Sequence, residues 1–167
     1  MWHLFYCDTV GRIGSVGLLL LRLVMGVAFM HHGWSKIQNP MGWMGPEASM
    51  PAILQALAAI SEFGGGLALI AGLLTRLGSL GITSVMVVAL ATVHLKLGHP
   101  FVAAKPGGPS YELPAVYLAC AIMFLLLGPG KFSLDALLFG KLLGQQDTGQ
   151  NDVQSSSLVT PARRKAE

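Results

Sequence analysis

Residues 13–34 read IGSVGLLLLRLVMGVAFMHHGW, an apolar run broken by a single formal charge, Arg22. A helix needs about 20 mostly apolar residues to cross the hydrocarbon of a bilayer. This run is long enough. It is too long for a signal-peptide core, and no small-residue cleavage site followed by a polar chain comes after it. It therefore reads as a retained transmembrane span.

Three further runs repeat the pattern at residues 51–74, 77–96 and 111–127. Helix is the state these runs must take. An isolated strand in lipid leaves its backbone groups unpaired, and barrel strands are shorter and alternate in polarity. The expected fold is an all-α membrane protein, a bundle of four transmembrane helices over residues 13–140. Residues 1–12 form a short cytoplasmic N-terminus, and the polar, basic stretch 141–167 is expected to be a disordered tail.

Composition agrees. Of 167 residues, 53% are hydrophobic and only 11% charged, and the mean hydropathy is +0.60. Soluble domains carry about 25% charged residues, so this chain cannot cover a water-facing surface of its own. The net charge of +3 sits in connections and at the C-terminus. With no basic-aromatic surface, it argues for membrane topology rather than nucleic acid. The two cysteines, Cys7 and Cys120, form no CxxC pair and give no redox or metal signature.

Leu74-Thr75-Arg76 make a tight turn between spans two and three. The other connections, residues 36–50 and 97–110, are long and rich in Pro, Gly and aromatics. Pro51 suits the first turn of span two, and Ser110 is placed to cap span four. One side of the bundle carries Arg12, Arg76, Lys131, Lys141, Arg163, Arg164 and Lys165; the other carries Lys36, Lys96 and Lys105. The positive-inside rule then puts both termini in the cytoplasm and both long loops outside.

Two ionisable residues, Arg22 and Glu62, fall deep within spans. A charge at the bilayer centre costs at least about 2.5–3.5 kcal/mol and usually pairs inside the bundle. With the outer ends taken at Gly33 and Pro51, both lie about 16 Å deep. An Arg22–Glu62 ion pair is therefore expected, either as a structural clamp or as contact for a substrate, quinone headgroup or proton path. On the Arg22 face lie Met25, Gly26, Phe29, His32, Gly33 and Lys36; on the Glu62 face lie Gln55, Gly65, Gly66 and Leu69. Gly64, Ala68 and Gly72 make a separate small-residue stripe suited to close helix packing.

A second group gathers at the outer rim: His32, Lys36, His94, Lys96, His99 and Glu112, among Trp34, Trp43 and Tyr111. It reads either as an interfacial belt or as an outward-facing pocket lidded by the two long loops. By helical phase His94 shares a face with Leu90, Val87 and Thr83. Adjacent His31 and His32 diverge by about 100° and cannot share a metal. No metal site is assigned.

Four segments carry a family resemblance: RLVMGVAFMHHGWSKI (22–37), EFGGGLALIAGLLTR (62–76), GGPSYELPAVYLA (107–119) and LLLGPGKFSLD (125–135). In order and spacing they resemble the DoxX family of small bacterial membrane proteins. The resemblance implies a four-helix bundle in the inner membrane. It also implies association with quinol oxidase, thiosulfate:quinone oxidoreductase or oxidative-stress membrane complexes. The cysteine pairs of related redox families are missing, and no flavin, haem or iron–sulfur motif replaces them. Hard redox chemistry needs such a cofactor.

The expected function is a non-catalytic subunit or anchor of such a redox complex, with no intrinsic cofactor and a bound quinone between spans one and two. Arg22, Glu62, His32, Lys36, His94 and Glu112 are the candidate ligand residues. Its partners are the bilayer, oxidoreductase subunits and, for so small a bundle, a second copy in a homodimer. The alternative is a small permease or ligand-binding membrane protein.

Overall fold

The computed structural model describes residues 10–138. The expected N-terminal segment before residue 10 and the tail after 138 lie outside them. Helix α1 runs Arg12–Gln38, α2 Ala52–Ala71, α3 Thr75–Ala89 and α4 Glu112–Leu127; a π-helical stretch, Leu90–Leu95, extends α3. No strand occurs among the described residues. Helices α1, α2 and α3 with its extension are long and apolar enough to cross a membrane. Helix α4 is apolar but has 16 residues, about 24 Å of rise, short of the roughly 30 Å hydrocarbon layer.

The helices pack in chain order, α1 on α2, α2 on α3 and α3 on α4. Their core joins Leu18, Met25, Phe29, Leu69, Ile82, Met86, Ala121 and Phe124. Buried alongside are Ser15, Arg22, Gln55, Glu62, Thr75, Ser79 and Asp135. Meanwhile Ile13, Leu20, Val24, Leu57, Ile60, Leu77 and Leu126 stand exposed on the outer faces. Polar groups inside and large aliphatics outside is the distribution lipid imposes. Hydrocarbon accepts apolar side chains without cost, whereas polar groups must find partners within the protein.

Helices α1 and α2 approach closely because glycines face the seam. A Cβ on Gly33 would lie 2.5 Å from the Phe63 nitrogen, and one on Gly66 would lie 2.8 Å from the Gly26 oxygen. Gly65 serves α3 in the same way, against Ile82 and Gly78. Of the small-residue stripe, Ala68 meets Gly78, Gly72 meets Arg22 and Ser133, and Gly64 faces only its own Ile60.

At the α2–α3 hairpin, Gly72 ends α2 at φ +66° and Leu74 follows at φ +50°. A left-handed leucine costs about 1–2 kcal/mol. Asp135 offsets this: its carboxylate accepts the Leu74 N–H at 2.7 Å and the Thr75 N–H at 2.9 Å. It thus caps α3 from a segment some sixty residues downstream. The Asp135 N–H donates in turn to the Gly72 oxygen. The expected Ser110 cap on α4 does not form. Tyr111 occupies the N-cap without a side-chain bond, and the Glu112 N–H donates instead to the Phe101 oxygen. The 97–110 loop has folded back over the helix start and supplies a backbone acceptor.

Candidate functional site: a lysine–glutamate pair beneath the first loop

Arg22 and Glu62 are both buried, but they do not pair. Glu62 Oε1 accepts from Lys36 Nζ at 2.6 Å. The Arg22 guanidinium donates to the Pro129 and Phe132 oxygens, each at 2.9 Å. The reason is register. Helix α1 continues through Gln38 rather than ending near Gly33. Gly33 faces Phe63 and Gly26 faces Ile70. Arg22 therefore stands opposite residues near 74, about 18 Å along the bundle from Glu62 at 1.5 Å per residue.

The candidate charges divide between the two ends of the bundle. At the hairpin end, the 129–133 segment folds across the helices. Arg22 holds its carbonyls, Ser15 Oγ accepts the Lys131 N–H, and the Asp135 carboxylate attracts the Arg22 charge. Ser133 Oγ accepts the Ala136 N–H. This cluster is a structural knot. Nothing in the sequence reading singled out Asp135. Its signal is one acid inside an otherwise apolar stretch, LDALL (134–138).

At the long-loop end, Lys36 is 22% exposed and its partner Glu62 only 3%. The Lys36 ammonium also lies 4.5 Å from the centre of the Trp43 ring, within cation–π range. Gln55, two turns before Glu62 on the same face, organises the loop above. Its backbone oxygen accepts Trp43 Nε1–H at 3.0 Å, its Oε1 accepts the Met44 N–H, and its Nε2 donates to the Met50 oxygen. The loop thus holds Trp43 over the lysine, and the lysine over the carboxylate. The second carboxylate oxygen, Glu62 Oε2, is buried with no hydrogen-bond partner. A buried acceptor left unmade costs about 1–3 kcal/mol, more when charged, so this atom is the unsatisfied acceptor of the pair.

The remaining candidates are placed apart. His32 is exposed, one helical turn before Lys36, and its ring stacks edge-on against Tyr117 at 6.0 Å. Glu112 opens α4 and is exposed. His94 meets His99, Nδ1 to Nδ1, at 3.1 Å. The π-helical turn moves His94 out of the α-helical phase that would align it with Val87 and Thr83. Two grooves mark the described surface. One, of about 730 Å³ between α2 and α3, is apolar; the other lies beneath residues 41–55, and neither is lined by His32, Lys36, Glu62, His94 or Glu112. Among the described residues no three His, Cys, Asp or Glu side chains gather as a metal site. Cys120 is a free thiol; Cys7 lies outside the described residues.

Apolar helices with buried internal charge define the class, a multi-pass membrane protein. The DoxX family model matches residues 17–95, and the chain belongs to the DoxX family. It is 28% identical to the inner membrane protein YqjF of Escherichia coli, over 76% of this chain and 95% of that one. It is 29% identical to an uncharacterized protein of Haemophilus influenzae, over 79% and 89%. It is 30% identical to a Bacillus subtilis protein named "Putative oxidoreductase CatD", over 75% and 89%. No solved structure matches the chain. Its location is the bacterial inner membrane.

Proposed function

We propose that this protein is a non-catalytic membrane subunit or anchor of a quinone-linked or oxidative-stress redox complex, in which Lys36 and Glu62 form the polar contact for a quinone headgroup. The observation that carries the reading is the free, buried Glu62 Oε2 beside a partly exposed ammonium. An anionic acceptor next to a cationic donor is complementary to a quinol hydroxyl and a quinone carbonyl. The name of the Bacillus relative, which contains "oxidoreductase", points the same way. A bound quinone supplies the electron-carrying chemistry. The chain's own groups bind and orient: Lys36 donates, Glu62 Oε2 accepts, and Trp43 shields one side of the lysine.

The glycine-tight α1–α2 seam leaves no room for a ring between these helices. The headgroup contact is therefore assigned to the long-loop end, where Lys36 is partly exposed, and Arg22 takes no part in it. The test is purification from native membranes in mild detergent, with extraction of bound quinone and identification of co-purifying subunits. Wild type should retain quinone. Glu62→Gln and Lys36→Met should lose it at least tenfold, about 1.4 kcal/mol of binding, while still folding. A wild-type preparation with neither quinone nor an oxidoreductase subunit overturns the reading.

The same proposal includes four spans with both termini in the cytoplasm. The excess of Arg12, Arg76, Lys131 and Lys141 over Lys36, Lys96 and Lys105 near the span ends supports it, with Arg163, Arg164 and Lys165 farther along the tail adding to the first side. A reporter that is active only in the periplasm, fused after Gly144, should stay silent; the same reporter placed in the 97–110 loop should be active. A signal from the first fusion reverses the topology.

A further inference from the structure

We propose that His94 and His99 form a two-histidine site for a borderline divalent transition-metal ion of the zinc, copper or nickel class. This site is independent of the Lys36–Glu62 reading. The two Nδ1 atoms are 3.1 Å apart and the ring planes are inclined at 74°. Metal–imidazole bonds are about 2.0–2.1 Å long, so nitrogens at this spacing subtend about 98° at a shared ion. That lies between square-planar and tetrahedral ligand angles, the two arrangements such metals take with nitrogen donors.

The backbone builds the convergence. The His99 N–H donates to the His94 oxygen at 2.9 Å, and the Gly98 N–H to the Leu95 oxygen at 3.1 Å. Gly98 takes φ +66°, a conformation that costs glycine little, and this reverses the chain. The π-helical Leu90–Leu95 turn sets His94 on the matching side. Such turns are rare and recur at functional sites. Both imidazoles are half-buried, so they are held while one side stays open to solvent.

Two nitrogen lone pairs at this separation repel unless a proton or a metal ion lies between them. Without metal, one neutral ring carries its hydrogen on Nδ1 and donates it to the other Nδ1. For a metal ion to take that place the donor ring adopts its Nε2–H tautomer, which turns both Nδ1 lone pairs to the ion with no net loss of a proton. No third His, Cys, Asp or Glu joins the pair among the described residues. Water or a small anion therefore completes the shell, and affinity is modest and exchangeable. The ion would staple the end of α3 to the start of the 97–110 loop.

The full chain, purified in detergent without a histidine tag, is titrated with Cu²⁺ and separately with Zn²⁺. Calorimetry is run on both, with paramagnetic resonance on the copper form. The expected result is one ion per chain, a nitrogen-coordinated copper spectrum, and slower amide hydrogen exchange at residues 96–101. His94→Asn and His99→Asn should each weaken binding at least tenfold, and His31→Asn should not. Unchanged melting temperatures show that the variants fold. Equal binding by all variants, or none at millimolar metal in the wild type, overturns the proposal; the second outcome leaves the pair as a hydrogen bond only.

Discussion

Replacing Asp135 with alanine lowers the thermal midpoint in detergent by roughly 10 °C or more, the shift expected of about 3–5 kcal/mol in a chain of this size. Several losses coincide. The Leu74 and Thr75 N–H groups, at 2.7 and 2.9 Å from the carboxylate, lose their acceptor, and hydrogen bonds to a charged group contribute about 1.5–3 kcal/mol each. The left-handed Leu74 loses the bond that holds it. Arg22, 1% exposed, loses its nearby counter-charge and keeps only carbonyl partners. Asp135→Asn should fall between, because an amide keeps one acceptor oxygen but turns its NH₂ toward a second donor. The measurement is thermal unfolding monitored by tryptophan fluorescence. A midpoint for Asp135→Ala within about 2 °C of wild type, at most about 1 kcal/mol, removes the knot from the account of stability.

Gly33→Ala has the second large effect, and it joins packing to the candidate site. The new methyl would sit 2.5 Å from the Phe63 nitrogen and 2.8 Å from its Cα. Both are backbone atoms of α2, so no rotamer change relieves the clash and the helices must separate. Overpacking of this kind costs about 1–3 kcal/mol. Gly33 also stands just below Lys36 on α1, so separation stretches the 2.6 Å Lys36–Glu62 contact and should weaken quinone retention together with stability. Gly17→Ala is the control, since its Cβ meets nothing within 4 Å. It should match wild type or exceed it by up to about 1 kcal/mol through helix propensity. If Gly33→Ala melts with wild type and keeps its ligand, the α1–α2 seam is looser than the structure describes.

The helical faces were legible because periodicity is a local property. Met25, Gly26, Phe29 and Gly33 on α1, and Gln55, Gly65, Gly66 and Leu69 on α2, are buried as their phase with Arg22 and Glu62 requires. The pairing was not legible. Depth depends on where a helix ends, and α1 runs on through Ser35, Lys36 and Gln38, which hydropathy counts as loop. That extension moved the expected partner of Glu62 from Arg22 to Lys36. His94 left the face it was expected to share with Val87 and Thr83 for a related reason: a π-helical turn, which no simple sequence period announces, broke the α-helical phase.

The long apolar runs by themselves determined an all-helical, multi-pass membrane protein with charge buried inside it, because each run must satisfy its own backbone bonds in lipid. The tertiary structure alone decided which charges meet. An ion pair is a contact between segments, and its geometry depends on register across the α1–α2 seam. That register is set by Gly26, Gly33 and Gly66 meeting backbone. At the other end, Asp135 reaches back some sixty residues to cap α3, a long-range contact of which the chain itself carries only one acid in an apolar stretch.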